Sequence, residues 1–195
     1  MDIGGFLNGV GTIDLVLVLY FAAFFVLGFA QGTIRRLLGI ASIIFSFLLS
    51  ANLAVPISNF LAANWHQFPK EYSYMIAFGT LFLVGVIGFA LIIQNVYQPQ
   101  PLFASAPWLD EILGGILGVI EAALLFGIAL IILDSYFRIP GMPVDPDELP
   151  FLRQIWTWID ATKTAEIFRS SLIPLFLTAT GFFVPEGIKA SYPAS

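Results

Sequence analysis

No cysteine occurs in the 195 residues, so disulfides and thiolate metal sites are excluded, and redox chemistry says nothing of the compartment. Charge is almost as scarce. Only 11% of the residues are charged and 58% are hydrophobic, where an ordinary soluble domain carries about 25% charged residues. Such a chain has too little polar surface to cover itself in water, and a lipid bilayer is its natural solvent. The net charge of −5 and the lack of any basic run argue against nucleic acid as a partner and against a polybasic lipid-binding tail. The single histidine, His66, has no clustered carboxylates near it in sequence, which argues against a metal site. No serine–histidine arrangement, paired carboxylates or phosphate loop stands out, so no catalytic, cofactor-binding or metal-binding residue is assigned and an enzyme is not expected.

What is present is organised around residues 109–134, LDEILGGILGVIEAALLFGIALIILD. At 1.5 Å per residue its apolar part is ~33 Å long, enough to cross a ~30 Å hydrocarbon core. Gly114, Gly118 and Glu121 share one helical face, with Gly115 and Ala122 at its flank. Small residues let a second backbone come close, which is how helices associate where lipid removes the usual hydrophobic drive. Glu121 should therefore point into a helix contact and away from lipid.

Three earlier runs have similar length: 13–34, 37–63 and 74–96, followed by the fourth at 110–133. The N-terminus carries Asp2 where a secretory signal would be basic, and the run after it is too long for a signal core, so a retained anchor is expected. Arg35 and Arg36 are expected to close the first helix, and Pro56 to kink or end the second. Ser42, Ser46 and Ser50 follow helical spacing, as residues bonding the preceding turn or a neighbouring helix, or as a polar stripe along a pore. Beyond Asp134 the chain turns polar and proline-rich. Residues 148–169 have the spacing of an amphipathic interfacial helix, and 172–184 form an apolar stretch too short for a comfortable crossing, interrupted by Pro174 and Gly181. An interfacial or re-entrant segment is expected there in preference to a fifth span. The expectation is an all-α, polytopic membrane protein: a four-helix transmembrane domain over 1–134 and a C-terminal tail with interfacial helices over 135–195.

Two crossings separate the end of helix 1 from the start of helix 4, so both lie at one membrane surface. Each carries glycines four apart, Gly28 with Gly32 and Gly114 with Gly118. Antiparallel docking would set Gly32 near Gly114 and Gly28 near Gly118. It would also bring Arg35 and Arg36 level with Asp110 and Glu111, as a charge clamp; the alternative is that both arginines extend to lipid phosphates. Because arginines favour the cytoplasmic side of short loops, the turn bearing them should be cytoplasmic and the N-terminus outside, although Arg138 counts the other way.

Glu121 is the intramembrane ionisable candidate, since a buried carboxyl costs several kcal/mol unless paired, hydrated or protonated. Mid-bilayer burial favours its neutral form. It is read either as a proton- or cation-responsive site or as a hydrogen-bonded link between helices. On the first reading, Glu121→Gln spares assembly and abolishes proton-linked function.

Asp14, GFAQGTIRRLLG at 28–39, LDEILGGILG at 109–118 and SSLIP at 170–174 together resemble the colicin V production protein family in order and spacing. That resemblance implies a small bacterial inner-membrane protein needed for colicin V production or export, with a wider envelope role. It transfers no catalytic residue. Where such proteins tend to carry a basic residue followed by glycine, this chain has Glu121 and Ala122, and its tail from Gly141 departs from the usual pattern. The resemblance favours a non-enzymatic accessory protein. The glycine faces, Glu121 and the serines motivate an oligomeric channel or transporter subunit as an alternative, and an intramembrane enzyme using Glu121 and Asp14 is weaker. The partners expected are the bilayer, a possible second copy of the chain, and export or envelope proteins.

Overall fold

A computed structural model describes residues 11–65, 68–96, 102–103, 106–141 and 148–192. His66, Asp2 and the acidic N-terminus read as part of an anchor lie outside the described residues. Four helices are long and apolar enough to cross a membrane: α1 Thr12–Gln31, α2 Thr33–Asn64, α3 Lys70–Val96 and α4 Pro107–Phe137. The tail forms α5 Pro150–Asp160, α6 Lys163–Ile167, a π-helical turn Phe168–Leu172 that runs into α7 Ile173–Thr180, and α8 Glu186–Ala190. Among the described residues every regular element is helical. The expected all-α, four-span architecture is what the chain adopts.

The boundaries differ from the expected ones in instructive ways. α1 ends at Gln31 and α2 begins at Thr33, so the chain reverses on Gly32 alone. Gly32 has φ +77°, a conformation glycine adopts without the steric penalty a side chain would incur. Arg35 and Arg36 therefore do not close α1; they lie in the opening turns of α2. Pro56 does not end α2, which continues for two further turns to Asn64. Proline removes one intrahelical bond, and packing of Ala51, Ala54 and Ser58 on the buried side of α2 carries the helix past it.

α4 is the central element and packs against α1, α2 and α3, while α2 and α3 form a closely packed hairpin. The core follows from which side chains meet there: Phe47 of α2, Met75 and Phe78 of α3, and Ile128, Leu130 and Tyr136 of α4 are all but sealed from the surface. By contrast Leu15, Val18 and Leu19 of α1 and Leu83, Val84 and Ile87 of α3 are exposed. An exposed apolar sheath around an apolar core is the pattern of a helix bundle whose solvent is lipid.

The expected single amphipathic helix over 148–169 is broken. α5 stops at Asp160, and Thr162 caps α6 by accepting the Ala165 amide at 3.1 Å. The following stretch turns inward. Phe168 packs edge-on against Phe126 of α4, with ring centroids 4.8 Å apart, and Phe176 lies 5.2 Å from the ring of Phe47. The chain then returns, with Asn52 donating to the Phe183 carbonyl at 3.0 Å and Tyr192 reaching back to Asp134. Since Phe126 lies eight residues inside Asp134, the excursion is ~12 Å deep along α4. The tail thus folds back against α4 and α2 over about that length.

Candidate functional site: the polar groups inside the bundle

The glycine seam positions everything at the α2 end of α4. A Cβ on Gly28 would collide with the Gly114 carbonyl oxygen and stand 3.1 Å from the Gly118 Cα. One on Gly114 would lie 2.9 Å from the Gly32 carbonyl carbon, and one on Gly118 would strike the Phe24 carbonyl. Gly115 receives the edge of the Phe25 ring, at 2.8 Å from where its Cβ would be. Gly28 thus meets both Gly114 and Gly118, and Gly32 meets Gly114. Only backbone lies between α1 and α4 along this line, which brings the Tyr20 hydroxyl within 3.1 Å of the Ala122 carbonyl.

The charges do not follow the arrangement expected of them. The arginine pair does not meet Asp110 and Glu111. Asp110 is buried against Gly32, accepts the Leu102 amide at 3.2 Å and takes the Thr33 hydroxyl on its backbone carbonyl at 3.0 Å. Glu111 is exposed. The reason is the reversal at Gly32. Because α2 starts there, Arg36 is carried down the face of α4 that bears Glu121 and forms an ion pair with it through Nη1. Gly39 makes the room, since a Cβ there would stand 2.7 Å from Glu121 Oε1. The Arg36 guanidinium also lies 5.8 Å from the Phe24 ring centroid, over its π face. Among the described residues no acidic group pairs with Arg35.

Glu121 sits near the midpoint of α4, so a bilayer around these helices would place the pair deep in hydrocarbon. Removing one member of such a pair costs ~3–5 kcal/mol, because the other charge is left buried. Glu121 is not a lone carboxyl: it has the Arg36 guanidinium as its partner. The expectation that Glu121→Gln would spare assembly changes with it. A cavity of about 150 Å³ adjoins the pair, lined by Gln31, Arg35, Arg36, Ser42, Glu121 and apolar residues of α3.

The serines act locally. Ser42 and Ser50 donate to the carbonyls three residues earlier, at 2.8 and 2.9 Å, and Ser46 fits against Gly85, where a Cβ would lie 2.8 Å from its hydroxyl. Ser46 and Ser50 are both buried, each 1% exposed.

A second polar centre lies at the other end of α4. Asp134, 7% exposed, accepts from Trp156 Nε1 at 2.9 Å, from Arg169 Nε and Nη2 at 2.7 Å each, and from the Tyr192 hydroxyl at 2.6 Å. Burial opposes the charge on Arg169, but its bonds to Asp134 and Asp160 outweigh that and raise its pKa. Burial also pushes the Tyr192 phenol well above its ordinary range, and the Asp134 charge adds to the shift. Nearby, Asp14 accepts the Thr164 hydroxyl at 2.7 Å and the Thr164 amide at 3.0 Å, fastening α6 to the start of α1. Sequence reasoning assigned none of Asp134, Trp156, Arg169 and Tyr192. The one available signal was an arginine, Arg169, immediately before the SSLIP stretch, with a carboxylate at the end of a span to receive it.

The Colicin V production protein model matches residues 13–176, from the start of α1 through the inward turn of the tail. The chain belongs to the Colicin V production protein family. No curated protein and no solved structure matches it. The matched region contains both polar centres except for Tyr192, which lies beyond it. The glycine seam and the first part of the inward-turning tail lie within the matched residues.

Proposed function

We propose that this protein acts without catalysis, as a multi-pass component of the bacterial inner membrane that supports colicin V production and export and, more widely, the upkeep of the envelope. The observation that carries the reading is the family match over residues 13–176. The polar groups are consistent with it: Glu121 is engaged by Arg36, and Asp134 by three donor side chains, so both hold helices together. In this reading the Gly32 turn faces the cytoplasm and the N-terminus lies outside, with the inward-turning tail in the outer half of the bilayer. Partner proteins of the export or envelope machinery would meet the tail or the lipid-facing helices.

An oligomeric channel or transporter subunit is supported by one observation, the cavity beside Glu121. Two guanidiniums line that cavity against one carboxylate, and an excess of positive charge repels protons and metal cations. The accessory reading is preferred for that reason.

The test is deletion of the gene in a cell that makes colicin V, followed by complementation. The expected result is reduced toxin activity in the medium, restored by the wild-type chain, with no ion flux through liposomes containing the purified protein alone. Unchanged external toxin in the deletion strain would overturn the accessory role, and cation flux in the liposomes would favour the channel.

A further inference from the structure

The cavity beside the ion pair has an opening, a charge and an unmet hydrogen-bonding group. Gln31 and Arg35 are at the end where α1 gives way to α2, and Glu121 and Leu125 are deeper on α4. α1 is twenty residues long, so ~30 Å, the thickness of a hydrocarbon core. Its last residue, Gln31, therefore lies at the headgroup boundary, and the cavity runs from there toward the bilayer interior. Two arginines and one glutamate give the lining an excess of one positive charge. Arg36 is only 5% exposed, and its Nε–H has no acceptor among the described residues although its Nη1 is taken by Glu121. Arg35 has no acidic partner among them either. The opposite wall is apolar, formed by Val86, Ala90 and Ile93 of α3, and Ala90 is exposed at the bundle surface.

A buried guanidinium N–H without an acceptor, beside a second arginine with no acidic partner among the described residues, suits an oxyanion. At the headgroup boundary, beside an apolar wall, the oxyanion at hand is lipid phosphate. We propose that this cavity binds the phosphate of one anionic phospholipid, held by Arg35, the Arg36 Nε–H and the Gln31 amide, with an acyl chain lying along Val86, Ala90 and Ile93. The site would fix the depth of the α1–α2 reversal in the leaflet that faces it.

The experiment is native mass spectrometry of the purified full-length chain released from nanodiscs of mixed phosphatidylethanolamine and phosphatidylglycerol. One retained phosphatidylglycerol per chain is expected. Arg35→Gln should lower that retention about fivefold, the effect of one arginine at a membrane surface. Ala90→Phe, which adds bulk at the exposed wall of the cavity, should lower it as well. Should Arg35→Gln fail to fold, as judged by gel filtration, the Ala90→Phe result decides alone. Equal retention of both lipids, or retention unchanged in the folded variants, overturns the proposal. A third arm adds inorganic phosphate to the lipid-retaining protein in detergent: loss of the retained phosphatidylglycerol at millimolar phosphate would show a free-phosphate site and overturn the lipid assignment.

Discussion

The two ends of α4 hold the molecule together by different means. At the Gly32 end, α1 and α4 touch through backbone, with Gly28, Gly114 and Gly118 leaving no room for a side chain, and one ion pair ties in α2. At the Asp134 end, side chains make the connection: a carboxylate, an indole, a guanidinium and a phenol bring the tail back onto the bundle. The first arrangement is unforgiving of volume and the second of lost hydrogen bonds. Lipid gives little drive for helices to associate, so close backbone fit and buried polar bonds carry the task between them.

That contrast can be broken from either end. The largest effect is expected from Gly118→Val. Its new Cβ would strike the Phe24 carbonyl, part of a helix that cannot step aside, so a loss of ~3 kcal/mol or more is expected. Thermal unfolding in detergent and yield from the membrane measure it. Close behind, Glu121→Gln leaves the Arg36 charge buried opposite a neutral amide, at a cost of ~3 kcal/mol. The double replacement Arg36→Leu with Glu121→Leu should recover at least half of that loss, since a buried pair replaced by apolar groups is often neutral. A double variant weaker than either single one would refute the pairing.

At the other end, Asp134→Asn removes the charge from four hydrogen bonds and should cost ~2 kcal/mol. Proteolysis should show the tail opening while the four long helices stay protected. A smaller effect is set by pH. The folded state holds the Tyr192 proton more tightly than the unfolded chain does. Its contribution to stability is then fully present below about pH 10, the ordinary phenol value, and is lost as pH rises through the elevated one. Tyr192→Phe should flatten that alkaline decline. The least effect is expected from Gly88→Ala, where nothing lies within 4 Å of the added methyl. Helix propensity alone should favour the variant by ~0.5–1 kcal/mol, and a loss instead would mean that a partner covers this face.

The Gly32 end was legible in the sequence because its cause is local. Glycines four residues apart on two helices announce a close approach, and counting crossings shows which helix ends share a surface. What the sequence did not reveal was the break at Gly32. No charge or proline marks it, and the apolar run continues to Ile34, so Arg35 and Arg36 were assigned to the wrong helix and matched with the wrong acids. One positive-φ glycine moved both arginines to the face that bears Glu121. The Asp134 end was illegible for a different reason. Its partners lie 22, 35 and 58 residues away in a tail of short, irregular helices, and no periodicity links them. The apolar interruption at 172–184 signalled that the tail returns toward the bilayer, but not which polar groups would hold it there.

The central claim is that α1 and α4 lie antiparallel with their backbones in contact along the glycine line. A chain without cysteine makes crosslinking in native membranes a clean test. Cysteines introduced together as Phe25→Cys and Gly115→Cys, positions in direct contact across the seam, should form a disulfide within one chain on mild oxidation, while Phe25→Cys with Gly88→Cys should not. Absence of the first crosslink in a folded, membrane-inserted protein, or equal yields from the two pairs, would contradict the account.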